Sequence, residues 1–174
     1  DFDDISKNEY TITNQFKIQS QESKIPDVVL MINGIPVVVG EAKTPIRPAI
    51  SWMDGAHEVH EIYENSVPQL FVPNILSFAT EGKELFYGGV RTPLEFWAPW
   101  RAEEDNKLQN KLGLQEVGKS LMDLLSPERL LDILQNFSLF SSNKKKQRIK
   151  IICRYQQYEG ANKLVNRVVE GKIK

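Results

Sequence analysis

The sequence predicts an α/β fold, a β-sheet with helices on both faces, continued by a helical C-terminal extension. Three observations predict it. Two β-branched runs, residues 28–32 (VVLMI) and 35–39 (IPVVV), flank Asn33-Gly34, the strongest short hairpin signal a chain offers. Their near-continuous hydrophobicity means that both sides of these strands are covered, which calls for helices above and below. From residue 51 the period changes: Trp52, Ala56, Val59 and Ile62 with Tyr63 form one apolar stripe, while Asp54, His57, Glu58, Glu61 and Glu64 face elsewhere.

The remaining elements follow in order. Residues 10–19 (YTITNQFKIQ) alternate Tyr10, Ile12, Phe16 and Ile18 with polar neighbours and read as a half-buried strand, ended by a polar loop at 20–24. Pro45 and Pro48 stop the second strand of the hairpin. A second hairpin is expected from residues 74–79 and 84–88 around Thr80-Glu81-Gly82-Lys83. Rings and prolines crowd residues 96–101, an ordered loop in which Trp97 and Trp100 seal an edge with Arg101 lying on a ring. The polar stretch that follows places a domain boundary near residue 105, with a core at 1–105 and an extension at 106–174. In the extension, Leu114, Val117, Leu121, Leu124 and Leu125 recur at helical spacing. Ser126-Pro127-Glu128 is a cap residue, a first-turn proline and a first-turn acid opening another helix. The basic residues Lys144, Lys145, Lys146, Arg148 and Lys150 read as a solvated linker before a last helix at about 151–169.

Composition narrows the function classes. In 174 residues, 41% hydrophobic and 26% charged describe a globular chain rather than a disordered one. No apolar run approaches the roughly 20 residues that cross a bilayer, and the start with Asp1, Asp3 and Asp4 is unlike a signal peptide, so no membrane partner and a cytoplasmic location are expected. Cys153 is the single cysteine, which excludes an internal disulfide and a cysteine-based zinc site. His57 and His60 form an i, i+3 pair without a third ligand, so zinc is rejected. A net charge of -1 and a pI near 6.2 argue against holding nucleic acid by bulk charge; a nucleic-acid enzyme of this composition needs a local basic groove or help from other subunits.

One constellation could carry chemistry. Phosphodiester hydrolysis needs a cation to neutralise charge on the phosphate and a water made nucleophilic near neutral pH. Magnesium, with manganese as a substitute, prefers oxygen ligands and keeps several waters, so one or two carboxylates suffice. Asp27 and Glu41 could supply them, with the carbonyl of Ala42 as a third oxygen and Lys43 orienting the water. Glu-x-Lys alone means nothing, since it occurs at Glu22, Glu41, Glu81 and Glu170; only Glu41 ends a buried strand whose hairpin partner begins with Pro26-Asp27. The structural alternative is that Asp27 caps a turn and Glu41 merely pairs with Lys43 or Arg47.

Register decides between them. A two-residue loop without irregularity pairs Asp27 with Gly40 and puts Glu41 on the opposite face. A three-residue loop, Ile32-Asn33-Gly34, with glycine in a left-handed bulge position pairs Asp27 with Val39 and makes Asp27 and Glu41 diagonal neighbours on one face. The bulged loop is expected. At about 5 Å two carboxylates repel by roughly 3 kcal/mol at an effective dielectric near 20, a penalty that a divalent cation would remove.

The stretch Ile25-Pro26-Asp27-Val28 through Val39-Gly40-Glu41-Ala42-Lys43 resembles the PD-(D/E)xK motif as it occurs in the restriction subunit of type I restriction-modification enzymes. The likeness extends through Asn8-Glu9-Tyr10, Asn14-Gln15-Phe16, Pro68-Gln69-Leu70-Phe71, Thr80-Glu81-Gly82-Lys83, Tyr87-Gly88 and the ring-rich loop at 97–101. Arg154-Tyr155-Gln156-Gln157-Tyr158 and Ala161-Asn162-Lys163 look like the helix that leads toward an ATP-driven translocase. The resemblance implies a mixed sheet flanked by helices with a restriction-endonuclease-like core and magnesium-dependent cleavage of double-stranded DNA. It also implies work in a complex with methyltransferase and specificity subunits. It assigns the metal-binding aspartate to Asp27, the glutamate to Glu41 and the lysine to Lys43. The chain has no G-x-x-x-x-G-K-[ST] loop, so ATP is expected only in a full-length subunit. Relatives often carry Gln-x-x-x-Tyr in the next helix; Tyr63 matches the tyrosine, Val59 takes the glutamine place, and His60 is a candidate, with Tyr63, for contacting DNA. An endonuclease and a catalytically silent module docking a translocase to its partner subunits are the two readings that the sequence supports.

Overall fold

A computed structural model describes residues 1–19, 23–47, 49–100, 113–143 and 146–171. Six strands form one mixed sheet in the order β1 (Tyr10–Asn14), β2 (Val28–Ile32), β3 (Ile35–Ala42), β4 (Leu76–Thr80), β5 (Leu85–Gly88) and β6 (Ala98–Pro99). Only β3 and β4 run parallel; the other neighbours are antiparallel. The parallel pair exists because the chain between them is helical and crosses one face of the sheet. That crossing is α1 (Trp52–His57), a π-helical segment (Glu58–Tyr63), α2 (Glu64–Ser66) and α3 (Pro68–Phe71). Ser51 starts it: its hydroxyl accepts from the Met53 amide while Asp54 accepts from the Ser51 amide.

Both faces are covered, as the hydrophobicity of the hairpin requires. Val39 and Ala79 pack with Ala56, Val59, Tyr63 and Val67 of the crossing helices. Leu30, Val38, Leu76 and Phe78, on the other face, share a cluster with Val117 and Leu124 of α4 (Gly113–Leu124), Leu130 and Ile133 of α5 (Pro127–Asn136), and Tyr158 of α6 (Tyr155–Val169). Residues on either side of position 105 therefore contribute to one apolar cluster. Gly40 makes room on that second face, because a Cβ there would stand 2.1 Å from the ring tip of Phe78 on the neighbouring strand.

Several expectations are corrected. The first strand ends at Asn14 rather than Gln19 and lies at the sheet edge, with Ile12 exposed. Ile62, placed in the helical stripe, is also exposed, whereas Glu58 and Glu64, expected to face outward, point into protein. Ser126 opens α5 without a side-chain cap bond. The greatest departure is a second sheet, the hairpin β7 (Ser138–Ser142) and β8 (Arg148–Ile152), in the stretch read as linker and the start of the last helix. Its β8 strand docks on the core: the Lys150 amide donates to the Val90 carbonyl at 2.9 Å, and the Thr92 hydroxyl to the Lys150 carbonyl at 2.7 Å. Lys150 is buried and its ammonium donates to the Asn74 carbonyl. The expectations for Pro48, for Arg101, for the boundary near 105, and for Lys144 and Lys145 fall outside the described residues, as does part of the loop at 20–24. Among the described residues no helix is long and apolar enough to cross a membrane.

Candidate active site

The turn between β2 and β3 has two residues, not the expected three. Asn33 and Gly34 both adopt left-handed backbone, at φ 52° and 75°, and Ile32 pairs with Ile35. The irregularity lies farther along, between Leu30 and Met31: Met31 pairs with Pro36 but Leu30 with Val38, leaving Val37 as the extra residue on β3. The shift pairs Val28 with Gly40, and continuing it sets Asp27 opposite Glu41. The two acids share a face as directly opposed residues, not as diagonal neighbours. The bulge restores the face that a plain two-residue turn would have lost.

Asp27 reaches across and its Oδ2 accepts from the Ala42 amide at 2.9 Å. The Lys43 amide donates the other way, to Thr80 of β4 at 2.8 Å. Across a trans peptide the Ala42 carbonyl points opposite to that amide, back toward the Asp27 side. Glu41 is 4% exposed. Its Oε1 is 2.8 Å from the Lys43 ammonium and its Oε2 lies 3.3 Å from the Tyr63 hydroxyl. Lys43 also bonds Glu58 Oε2, and Tyr63 approaches Glu58 Oε1 at 3.0 Å. The structure thus gathers Asp27, Glu41, Lys43 and Tyr63 around the end of β3 and adds Glu58.

Glu58 was missed because an α-helical period turns it away. Residues five apart stand about 140° from each other around an α-helix, whereas i→i+5 bonding brings them toward one side. The π-helical segment from Glu58 to Tyr63 does this, so the acid and the phenol meet over Glu41. Val59, at the expected glutamine place, is fully buried in the apolar cluster instead. Gly55 lets the helix approach, since a Cβ there would meet Ala79 at 3.3 Å and Glu41 at 3.4 Å. His60 turns to other partners: Nδ1 is 3.6 Å from Glu64 and Nε2 3.5 Å from Glu61, and the Glu64 carboxylate holds the imidazole above the usual histidine range.

The electrostatics are unbalanced. Burial, together with the charges of Asp27 and Glu58, pushes the Glu41 carboxyl up to about 7 despite its bond to Lys43. Burial works against the Lys43 ammonium, but Glu41 and Glu58 outweigh it and hold it above the ordinary lysine value. For Glu58 burial is outweighed by bonds to Lys43 and Tyr63, and its carboxyl sits below the usual range. Burial and the two glutamates raise the Tyr63 phenol, which stays protonated. Two acids share the one ammonium and a third, Asp27, is bound only by a backbone amide, a balance that suits a further cation, and the donors are hard oxygens of the kind magnesium takes. Among the described residues no three acidic, histidine or cysteine side chains form a ready-made ligand group, so a cation would take Asp27, Glu41, the Ala42 carbonyl and waters.

A mixed sheet flanked by helices, with acids and a lysine at the end of a central strand, places the protein in an α/β class consistent with a nuclease-like fold. The chain belongs to the family described as type I restriction enzyme R protein N terminus, which it matches over residues 1–96. It is 29% identical over 172 residues to the type I restriction enzyme HindI endonuclease subunit of Haemophilus influenzae, covering 97% of this chain and 16% of that protein. A Methanocaldococcus jannaschii protein provisionally named type I restriction enzyme MjaVIIIP endonuclease subunit is 30% identical over 168 residues, again 97% of this chain and 16% of the relative. The chain thus spans about a sixth of the length of these relatives.

Proposed function

We propose that the chain is the magnesium-dependent, DNA-cleaving domain of a type I restriction subunit, with Asp27, Glu41 and Lys43 as catalytic residues. The observation that carries this reading is the strand bulge, which has no turn-forming role and yet sets Asp27 opposite Glu41 beside Lys43. Asp27, Glu41 and the Ala42 carbonyl would hold the ion, and manganese would substitute for magnesium. The bound cation would neutralise charge developing on the phosphate and acidify a water. Lys43 orients that water and stabilises its ionised form. Burial of Glu41 beneath α1 keeps solvent from screening these charges. Tyr63, buried with its hydroxyl on Glu41 and Glu58, fixes the carboxylates rather than touching DNA, and His60, facing Glu64, contributes at most an outer contact to DNA.

The substrate is double-stranded DNA, presented by methyltransferase and specificity subunits, and ATP is used by the remainder of the full-length subunit. Asp27→Ala and Lys43→Ala in the full-length subunit test the reading. DNA cutting is expected to fall by about a hundredfold or more with ATP hydrolysis intact. Unchanged cutting would instead identify a silent module that docks the translocase to its partners.

A further inference from the structure

We infer that Glu58 is a positioning residue that anchors Lys43 at the end of β3, so that the lysine stays in place when Glu41 turns to a cation. This rests on the function proposed above. As the site stands, both Glu41 oxygens are engaged, Oε1 by Lys43 and Oε2 by Tyr63. A cation shared by Asp27 and Glu41 competes with the Lys43 ammonium for Oε1. Without a second anchor the displaced side chain would swing to solvent, because a lysine stem has many rotamers and a strongly hydrated head. Glu58 Oε2 already holds the ammonium, so losing Glu41 leaves Lys43 one charge-assisted bond instead of none.

The assignment as anchor rather than ligand follows from the bonds Glu58 makes. Its Oε2 holds Lys43 and its Oε1 meets the Tyr63 hydroxyl, and it stands on the crossing helix, whereas Glu41 stands opposite Asp27 in the hairpin, where an ion can be shared. Tyr63 has one proton to give, and the 3.0 Å approach to Glu58 is shorter than the 3.3 Å approach to Glu41. That preference ties Tyr63 to Glu58 more closely than to Glu41 and stiffens Glu58. The extra residue of the π-helical segment makes the arrangement possible, since an α-helical turn would separate Glu58 from Tyr63.

The test uses the full-length subunit with Glu58→Ala and Glu58→Gln, beside Asp27→Ala and Lys43→Ala. Three quantities are measured: manganese affinity by electron paramagnetic resonance, acetylation of Lys43 by mass spectrometry with and without manganese, and cutting of plasmid DNA. In the unsubstituted protein Lys43 is expected to remain protected on manganese addition. In Glu58→Ala, manganese is expected to expose Lys43 and cutting to fall about tenfold or more, while manganese affinity changes by less than about threefold. Glu58→Gln keeps an acceptor and is expected to fall between; it also decides the matter if the alanine variant does not fold. A drop in manganese affinity of about tenfold or more in both variants would make Glu58 a ligand and overturn the inference. Lys43 protection identical to that of the unsubstituted protein would overturn it too. If Asp27→Ala and Lys43→Ala abolish cutting but Glu58→Ala does not, only this inference fails; if those two still cut, the proposed function itself fails.

Discussion

On one face of the sheet Arg129 stands between Asp123 and Glu159, at 2.8 and 3.0 Å, with its guanidinium 5.3 Å from the Trp100 ring and 4.8 Å from that of Tyr158. On the other face Lys43 stands between Glu41 and Glu58, under Tyr63, with Asp27 across the hairpin. Both are partly buried cations bridging two acids beside a tyrosine. In the first, further donors are supplied: the Trp100 indole gives its proton to Asp123 at 2.7 Å, and Tyr158 and Asn162 serve Asp132 at 2.7 and 3.3 Å. In the second, two carboxylates share one ammonium with the charge of Asp27 nearby, and the buried one is pushed up to about 7. The contrast separates a cluster that holds elements together from one that holds charge in reserve. Planar arginine, with its fixed fork and its affinity for rings, suits the first task, and a mobile point charge on lysine suits the second.

The comparison can be broken by measurement. The largest effect on stability is expected from Arg129→Ala, which removes the bridge and the ring contacts together and should lower unfolding free energy by about 2–3 kcal/mol in urea titration. A change near zero would mean that the Arg129 cluster holds nothing. The opposite sign is expected for Glu41→Gln. The folded-state value of Glu41, about 7, lies above the ordinary glutamate value of 4.5, so the folded form keeps its proton longer than the unfolded form. Stability contributed at this group is therefore present below pH 4.5 and lost as pH rises from there through about 7. Without divalent ions, Glu41→Gln should raise stability by about 1–2 kcal/mol at pH 8 and by little at pH 4.5. A loss at pH 8 would show that the Lys43 pairing outweighs burial and repulsion. The smallest effect is expected from Tyr158→Phe, which deletes the bond to Asp132 and should lower stability by about 1 kcal/mol. A thermal melt with no shift would show that this phenol is served equally well by water.

Much of the central architecture could be read directly. The Asn33-Gly34 turn, the strands on either side, helical cover on both faces and the hairpin at residues 76–88 all follow from period and turn chemistry. Asp27, Glu41 and Lys43 were visible as candidates because a proline-aspartate pair and a strand end frame them. The position of the bulge was not, because residues 35–39 are apolar almost throughout and a slip by one residue leaves no mark in such a pattern. The hairpin of β7 and β8 did carry a signal: Ile149 and Ile151 alternate with Arg148 and Lys150, a period of two hidden beneath a run of positive charge. Lys150 itself shows why charge misleads, since its aliphatic stem is buried and its head meets the Asn74 carbonyl and the face of Phe140.

Sequence by itself determined which residues stand as candidates at the strand ends and which strands carry them, since these depend on local chemistry: a turn that needs left-handed backbone, branched side chains that suit a pleated surface, acids beside strand ends. Only the tertiary structure decided which acids meet. One extra residue in β3 brings Asp27 opposite Glu41, and one widened helical turn swings Glu58 and Tyr63 over them. Both irregularities are set by packing across the sheet, where the energy of burying many side chains outweighs the preference of a few residues for ideal geometry.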